Sequence, residues 1–126
     1  MFRSTAITFA SLASLAFGTH AHAEDKPAET PVATIVTIKT PPGITRPMLD
    51  GGFKQAVPVY ENIPGLIRKY FIVNGDSFGG MYLWKSRALA EAWFNDAWRA
   101  KAKATYGSEA QLTYFDAPVQ IDNSGK

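Results

Sequence analysis

Between positions 79 and 93 the chain sets Gly79-Gly80, Tyr82, Trp84 and Trp93 within a short span. Two glycines make a stretch of strand without side chains, where a ligand can come close to the backbone. Flat rings beside such a stretch are the material of a pocket for a flat aromatic molecule. The same residues have plainer uses. Gly79-Gly80 suit a β-bulge as well as a ligand, and Trp84, Trp93 and Trp98 recur at spacings that also serve a packed core.

What the chain lacks limits the chemistry further. It has no cysteine and two histidines, His20 and His22. Both lie in an N-terminal segment with Arg3, an apolar run from Ala6 to Gly18, and the small-x-small pattern Ala21-His22-Ala23. That order reads as a secretory signal cut after Ala23, and the run is shorter than the roughly 20 residues of a spanning helix. Cleavage would leave 103 of the 126 residues, with neither imidazole nor thiol. Such a chain cannot build a Ser-His-Asp or Cys-His nucleophile, a His/Cys zinc site or a His-ligated haem. Arg3 is the one charge in the segment, so 13 Lys and Arg fall to 12 against 11 Asp and Glu. That near-balance does not announce nucleic acid.

The elements that must carry these residues follow from periodicity and turn chemistry. Residues 24–32 are polar, carry two prolines and read as a flexible leader. Residues 33–39 are β-branched and form a first strand, stopped by Pro41-Pro42-Gly43. Leu49, Phe53, Ala56 and Tyr60 recur at helical spacing over 45–62, with Gly51-Gly52 and Pro58 expected to kink or break that helix. Strands at 66–73 and 78–85 flank Asn74-Gly75-Asp76-Ser77, a hairpin turn. Ser86 caps a helix carrying Leu89, Ala90, Trp93, Phe94, Ala97 and Trp98, with a break expected at Asn95-Asp96 and an end at Gly107. Arg99, Lys101 and Lys103 near its end complement the helix dipole. A last strand at 110–115 completes β-α-β-β-α-β, a ferredoxin-like α+β sandwich, over a domain spanning 33–123.

A Gly75-Asp76 loop sets Val73 opposite Phe78, Phe71 opposite Gly80, Lys69 opposite Tyr82 and Ile67 opposite Trp84, whereas an Asn74-Gly75 loop would shift the register by one and leave both faces apolar. With the Gly75-Asp76 loop, one sheet face carries Ile67, Lys69, Phe71, Val73, Phe78, Gly80, Tyr82 and Trp84. The other carries Leu66, Arg68, Tyr70, Ile72, Gly79, Met81 and Leu83. Neither face is polar, and one helix layer covers only one of them. A second copy of the sheet is the simplest cover for the other, so a homodimer is expected.

These residues also resemble a known family. Pro64-Gly65, Lys69, Gly79-Gly80-Met81-Tyr82-Leu83-Trp84 and Phe115-Asp116 are similar to the recurring signature of the YdhR-like putative monooxygenases, in the dimeric α/β-barrel superfamily. The resemblance covers roughly 33–123. Trp84-Lys85-Ser86 with Trp93 also resembles the haem-degrading branch of that superfamily, in which a haem-ligating His follows the Trp by ten residues. Lys103 stands at that position, so the haem role is not carried over.

The resemblance implies a cofactor-independent monooxygenase acting on a small aromatic or polyketide-like compound. In members with that activity a deprotonated, electron-rich substrate gives its own electron to oxygen, and the protein supplies a dry cavity, a proton acceptor and oxyanion donors. Carried onto this chain, Tyr82 and Lys69 are the catalytic candidates, and Phe71, Gly80, Trp84 and Trp93 the substrate-binding ones. Lys69 would lower the Tyr82 pKa or stabilise a substrate phenolate, unless it merely snorkels at a sheet edge. A non-catalytic, exported small-molecule-binding or stress-response dimer of the same fold is the competing reading. The absence of histidine, the usual base near neutral pH, favours it.

Overall fold

A computed structural model describes residues 29–126; the expected N-terminal signal and most of the expected leader lie outside the described residues. The order is β1 (Val32–Lys39), α1 (Arg46–Glu61), β2 (Leu66–Asn74), β3 (Ser77–Trp84), α2 (Arg87–Trp93), α3 (Asp96–Tyr106) and β4 (Gln111–Asp116). The strands form one antiparallel sheet in the order β2-β3-β1-β4. This is the ferredoxin-like α+β arrangement, with its second helical region in two pieces.

Local chemistry accounts for the boundaries. Thr45 caps α1 by accepting from the Met48 amide, and Pro47 sits in the first turn, where a missing N–H costs nothing. α1 runs unbroken through Gly51-Gly52 and Pro58, contrary to the expected kink or break. Pro58 falls in the last turn, where it deprives a single carbonyl of its donor, and the Asn62 side-chain Nδ2 donates to the Pro58 carbonyl at 3.0 Å. Ser86 caps α2 through the Leu89 amide. The expected break at Asn95-Asp96 is present because Asn95 accepts from the Trp98 amide at 2.9 Å and starts α3 anew. Gly107, at φ 81, ends α3 in the left-handed conformation.

The β2–β3 hairpin closes on Gly75-Asp76, with Gly75 at φ 58. Val73, Phe71 and Lys69 pair with Phe78, Gly80 and Tyr82 as expected. The register then slips: a bulge between Leu66 and Arg68 sets Leu66, not Ile67, against Trp84. Leu66 therefore packs on the core while Ile67 turns outward. The β-bulge offered for Gly79-Gly80 lies instead at the start of β2.

Between helices and sheet the core gathers Val36, Ile38, Phe78, Tyr82, Trp84, Ala90, Phe94, Ala102 and Ala110. Phe94 stands at its centre, edge-on to Tyr82 (5.0 Å), Trp84 (5.7 Å) and Trp98 (4.9 Å). Edge-to-face contacts of this kind add about 0.5–1.5 kcal/mol each beyond burial. The opposite sheet face stays open, with Tyr70 54% and Met81 44% exposed. The chain after β4 reaches it, where the Asp122 carboxylate meets Arg68 at 3.2 Å.

Candidate functional site

The α1 face of the sheet is not filled. A cavity of about 740 Å³ lies between sheet and helices, walled by Leu49, Phe53 and Tyr60 of α1, Lys69 and Phe71 of β2, Tyr82 of β3, and Trp93 and Trp98 of the second helical region. Strand parity explains the sheet side, since positions 69, 71 and 82 point to one face. The helical stripe Leu49-Phe53-Ala56-Tyr60 explains the other side. Phe53 stacks on Phe71 at 4.9 Å, and Tyr60 meets Phe71, Tyr82 and Trp93 at 5.6, 6.1 and 6.0 Å.

Lys69 is the polar centre of this wall. Its Nζ lies 3.1 Å from the Tyr60 ring centroid, 4.0 Å from Phe71 and 4.6 Å from Tyr82. Three ring faces offset part of the hydration an ammonium loses there. Among the residues lining the cavity, Lys69 and Lys101 are basic and none is Asp or Glu. Burial without a carboxylate pulls the Lys69 amine down to about 7. The tyrosines move the other way. Burial pushes the Tyr82 phenol up, with the neighbouring Tyr60 adding to it, and also raises Tyr60, offset in part by its hydrogen bond with Tyr82. The expectation that Lys69 lowers the Tyr82 pKa is therefore overturned: Tyr82 is a held proton donor.

Of the residues proposed from sequence, Lys69, Phe71, Tyr82 and Trp93 come together on the cavity, and Trp84 and Gly80 do not line it. Trp84 is fully buried behind Tyr82, stacked at 5.9 Å and 14°, so it backs the phenol instead of touching a ligand. Gly80 makes room for the protein's own side chains. A Cβ there would stand 2.7 Å from Tyr82 Cε1 and 2.9 Å from Lys69 Cε. At Gly79 a Cβ would strike the Val36 carbonyl oxygen, so this glycine lets β1 and β3 approach. The pair thus serves packing, with the freed space taken up by the Lys69 stem and the Tyr82 ring.

Tyr60 was visible in the sequence only as one member of an apolar helical stripe. Its contact with Lys69 depends on how α1 lies across β2, which no local signal encodes. The Trp93 indole Nε1 has no hydrogen-bond partner in the protein, leaving a donor on a residue of the cavity wall. A haem-ligand role fails at Lys103, whose amine faces outward to Glu109 at 3.1 Å and which is absent from the cavity lining. Among the described residues no group of three or more His, Cys, Asp or Glu gathers that could hold a metal.

Neither a family model nor a curated protein matches the chain. Solved structures do. NE2512, a protein of unknown function from Nitrosomonas europaea, is similar with a TM-score of 0.60 and 18% identity, over 79% of this chain and 100% of that one. The haem-degrading protein Rv3592 from Mycobacterium tuberculosis is similar at 0.52 and 21%, over 75% and 99%. A monooxygenase from the gene ActVA-Orf6 of Streptomyces coelicolor, in complex with nanaomycin D, is similar at 0.52 and 14%, over 79% and 97%. The chain has the ferredoxin-like α+β fold that these three proteins share.

Proposed function

We propose that the protein is a cofactor-independent monooxygenase acting on a small, electron-rich aromatic or polyketide-like compound, nearest the YdhR-like group within this fold. One observation carries the reading: an amine without a carboxylate partner, at Lys69, faces an aromatic cavity beside two phenols that burial keeps protonated. Such an amine is a candidate base near neutral pH without histidine, and this supports the catalytic reading over a purely binding role.

The chemistry then runs on this chain's own groups. Lys69 Nζ takes a proton from the acidic CH₂ or OH of the bound aromatic, and the ammonium formed stays against the new anion. The anion passes one electron to dioxygen, and the two radicals join through a new C–O bond. For an anthrone-type CH₂, loss of water from the hydroperoxide gives the ketone, so substrate plus O₂ yields quinone plus water. Tyr82 offers the O–H donor for oxygen charge. Phe53, Phe71 and Tyr60 hold the ring plane.

Two further elements belong to the proposal. The apolar outer face, with Tyr70 and Met81 exposed, is covered by a second copy, making a homodimer. The Arg3, Ala6–Gly18 and Ala21-His22-Ala23 pattern directs export to the periplasm or beyond, with Glu24 as the mature N-terminus, which intact mass spectrometry reads directly. Oxygen uptake with a panel of reduced anthrones and quinols tests the activity. Uptake that Lys69→Met abolishes is the expected result. Tryptophan quenching by those compounds without oxygen uptake would overturn the enzyme and leave a binding dimer.

A further inference from the structure

The Lys69 side chain crosses the bare backbone of Gly80 and ends under the α1 wall, with its amine among three ring faces. The ion pairs of the described residues all lie elsewhere: Arg46–Asp50, Arg68–Asp122, Arg87–Glu91 and Lys103–Glu109. The aromatic faces attract an ammonium weakly and accept no proton from it. A lysine desolvated in this way has its lone pair available, which is how a primary amine becomes a nucleophile in an apolar site. Two phenols, Tyr60 and Tyr82, with ring centroids 6.1 Å apart, stand on the same wall.

We propose that Lys69 is an imine-forming nucleophile for flat aromatic aldehydes and ketones that enter this cavity. The activity rests on the geometry of the site and stands whether or not the protein consumes oxygen. The amine swings off the Tyr60 ring on its four-carbon stem, and its lone pair forms a C–N bond to the carbonyl carbon. The C=O π pair moves to oxygen, and one amine proton follows it, giving a carbinolamine. The nitrogen lone pair then expels the hydroxyl group, which leaves as water with a proton from hydronium or a buffer acid while the Tyr82 phenol donates a hydrogen bond to the departing oxygen. The iminium N–H gives a proton back to water. Amine plus carbonyl gives imine plus water, with no oxidant or reductant. A cavity of about 740 Å³ admits a naphthalene-sized ring system, and its apolar walls shield the imine from the water that would hydrolyse it.

The test is reductive trapping. The purified protein is incubated at pH 7 with 2-naphthaldehyde and cyanoborohydride, then followed by intact mass and peptide mapping. The exposed Lys39, Lys54, Lys85, Lys101 and Lys103 serve as internal controls. At that pH Lys69 holds roughly a thousandfold more neutral amine than an ordinary lysine, and its lower basicity takes back part of the advantage. A single naphthylmethyl adduct at Lys69, formed at least about tenfold faster than any other, is the expected result. Its rate should reach half-maximum near pH 7, whereas an ordinary lysine continues to gain through pH 10. Lys69→Met should lose the adduct with an unchanged circular dichroism spectrum; if that variant does not fold, the pH profile of the unaltered protein decides. Labelling spread over the exposed lysines, or a Lys69 left unlabelled, overturns the proposal. An unlabelled Lys69 with tryptophan quenching by 2-naphthamide would sink the imine alone, and no quenching would sink the cavity as a binding site with it.

Discussion

Replacing Lys69 by methionine removes the amine while keeping an unbranched apolar chain in its place, and the effect on stability depends on pH. In the unfolded chain the amine titrates at about 10.5 and in the folded protein at about 7. A depressed folded value means the unfolded chain binds more protons between those limits, so stability rises as pH climbs from 7 toward 10 and is lost as pH falls back through 7. At about 1.36 kcal/mol per unit the full difference has an upper limit of about 4–5 kcal/mol. The side chain keeps some contact with solvent and lies against three ring faces, so about 2 kcal/mol is the working figure. The other titratable groups on the cavity wall are Tyr60 of α1, Tyr82 of β3, and Lys101 and Tyr106 of α3, with no carboxylate among them. The raised tyrosines act only above about pH 10, where they reverse the trend, which fixes the useful window at 7–10. Urea denaturation across that window should show the unaltered protein gaining about 2 kcal/mol and Lys69→Met staying flat. At pH 7 the variant should melt roughly 10 °C higher, at about 4–8 °C per kcal/mol for a domain of this size. Identical pH slopes for the two proteins would refute the picture of an amine buried without a partner.

Gly80→Ala should lower stability by about 1–2 kcal/mol in the same assay, because the new methyl meets the Tyr82 ring and the movable Lys69 stem. Gly79→Ala, which strikes the Val36 carbonyl, should cost more than Gly80→Ala; equal losses would show that β1 gives way freely. Met81→Glu on the open sheet face should convert a dimer to monomers in sedimentation, and a monomeric parent protein would remove the dimer altogether. Tyr82→Phe should reduce turnover at least about tenfold with little change in ligand binding, since a proton or oxyanion contact matters mainly in the transition state; equal losses in both would make Tyr82 a binding residue.

Much of the frame was legible because the signals are local. Asn74-Gly75-Asp76 declares a tight hairpin, and of the two registers it allows, the one from a Gly75-Asp76 loop holds from Val73↔Phe78 down to Lys69↔Tyr82. Asn95, a strong cap inside an apolar stripe, announces a second helix start. The bulge at Ile67 gave no such sign, since adjacent Leu66 and Ile67 suit either face and tertiary fit alone decides which turns inward. At the site, parity brought Lys69, Phe71 and Tyr82 together correctly. The error at Trp84 was one of depth: the same parity that points it inward cannot show that Tyr82 and Phe94 close over it. The absence of histidine, which favours the binding reading, has a related limit as a signal, because a proton affinity is a property of the surroundings. A lysine reads as a permanent cation until the absence of acids around it is known.

Not one of the sixteen residues of α1 is fully buried, although its apolar stripe faces the sheet. A helix with two internal glycines, each about 1 kcal/mol less favourable than alanine, has little intrinsic reason to persist and depends on what lies beneath it. Beneath it lies a cavity. A bound aromatic molecule therefore completes the packing layer on which α1 rests, so binding and the local folding of this helix share one free energy. The amide protons of α1 should exchange far faster than those of β1 and β3 in the free protein, and slow selectively when the cavity is filled.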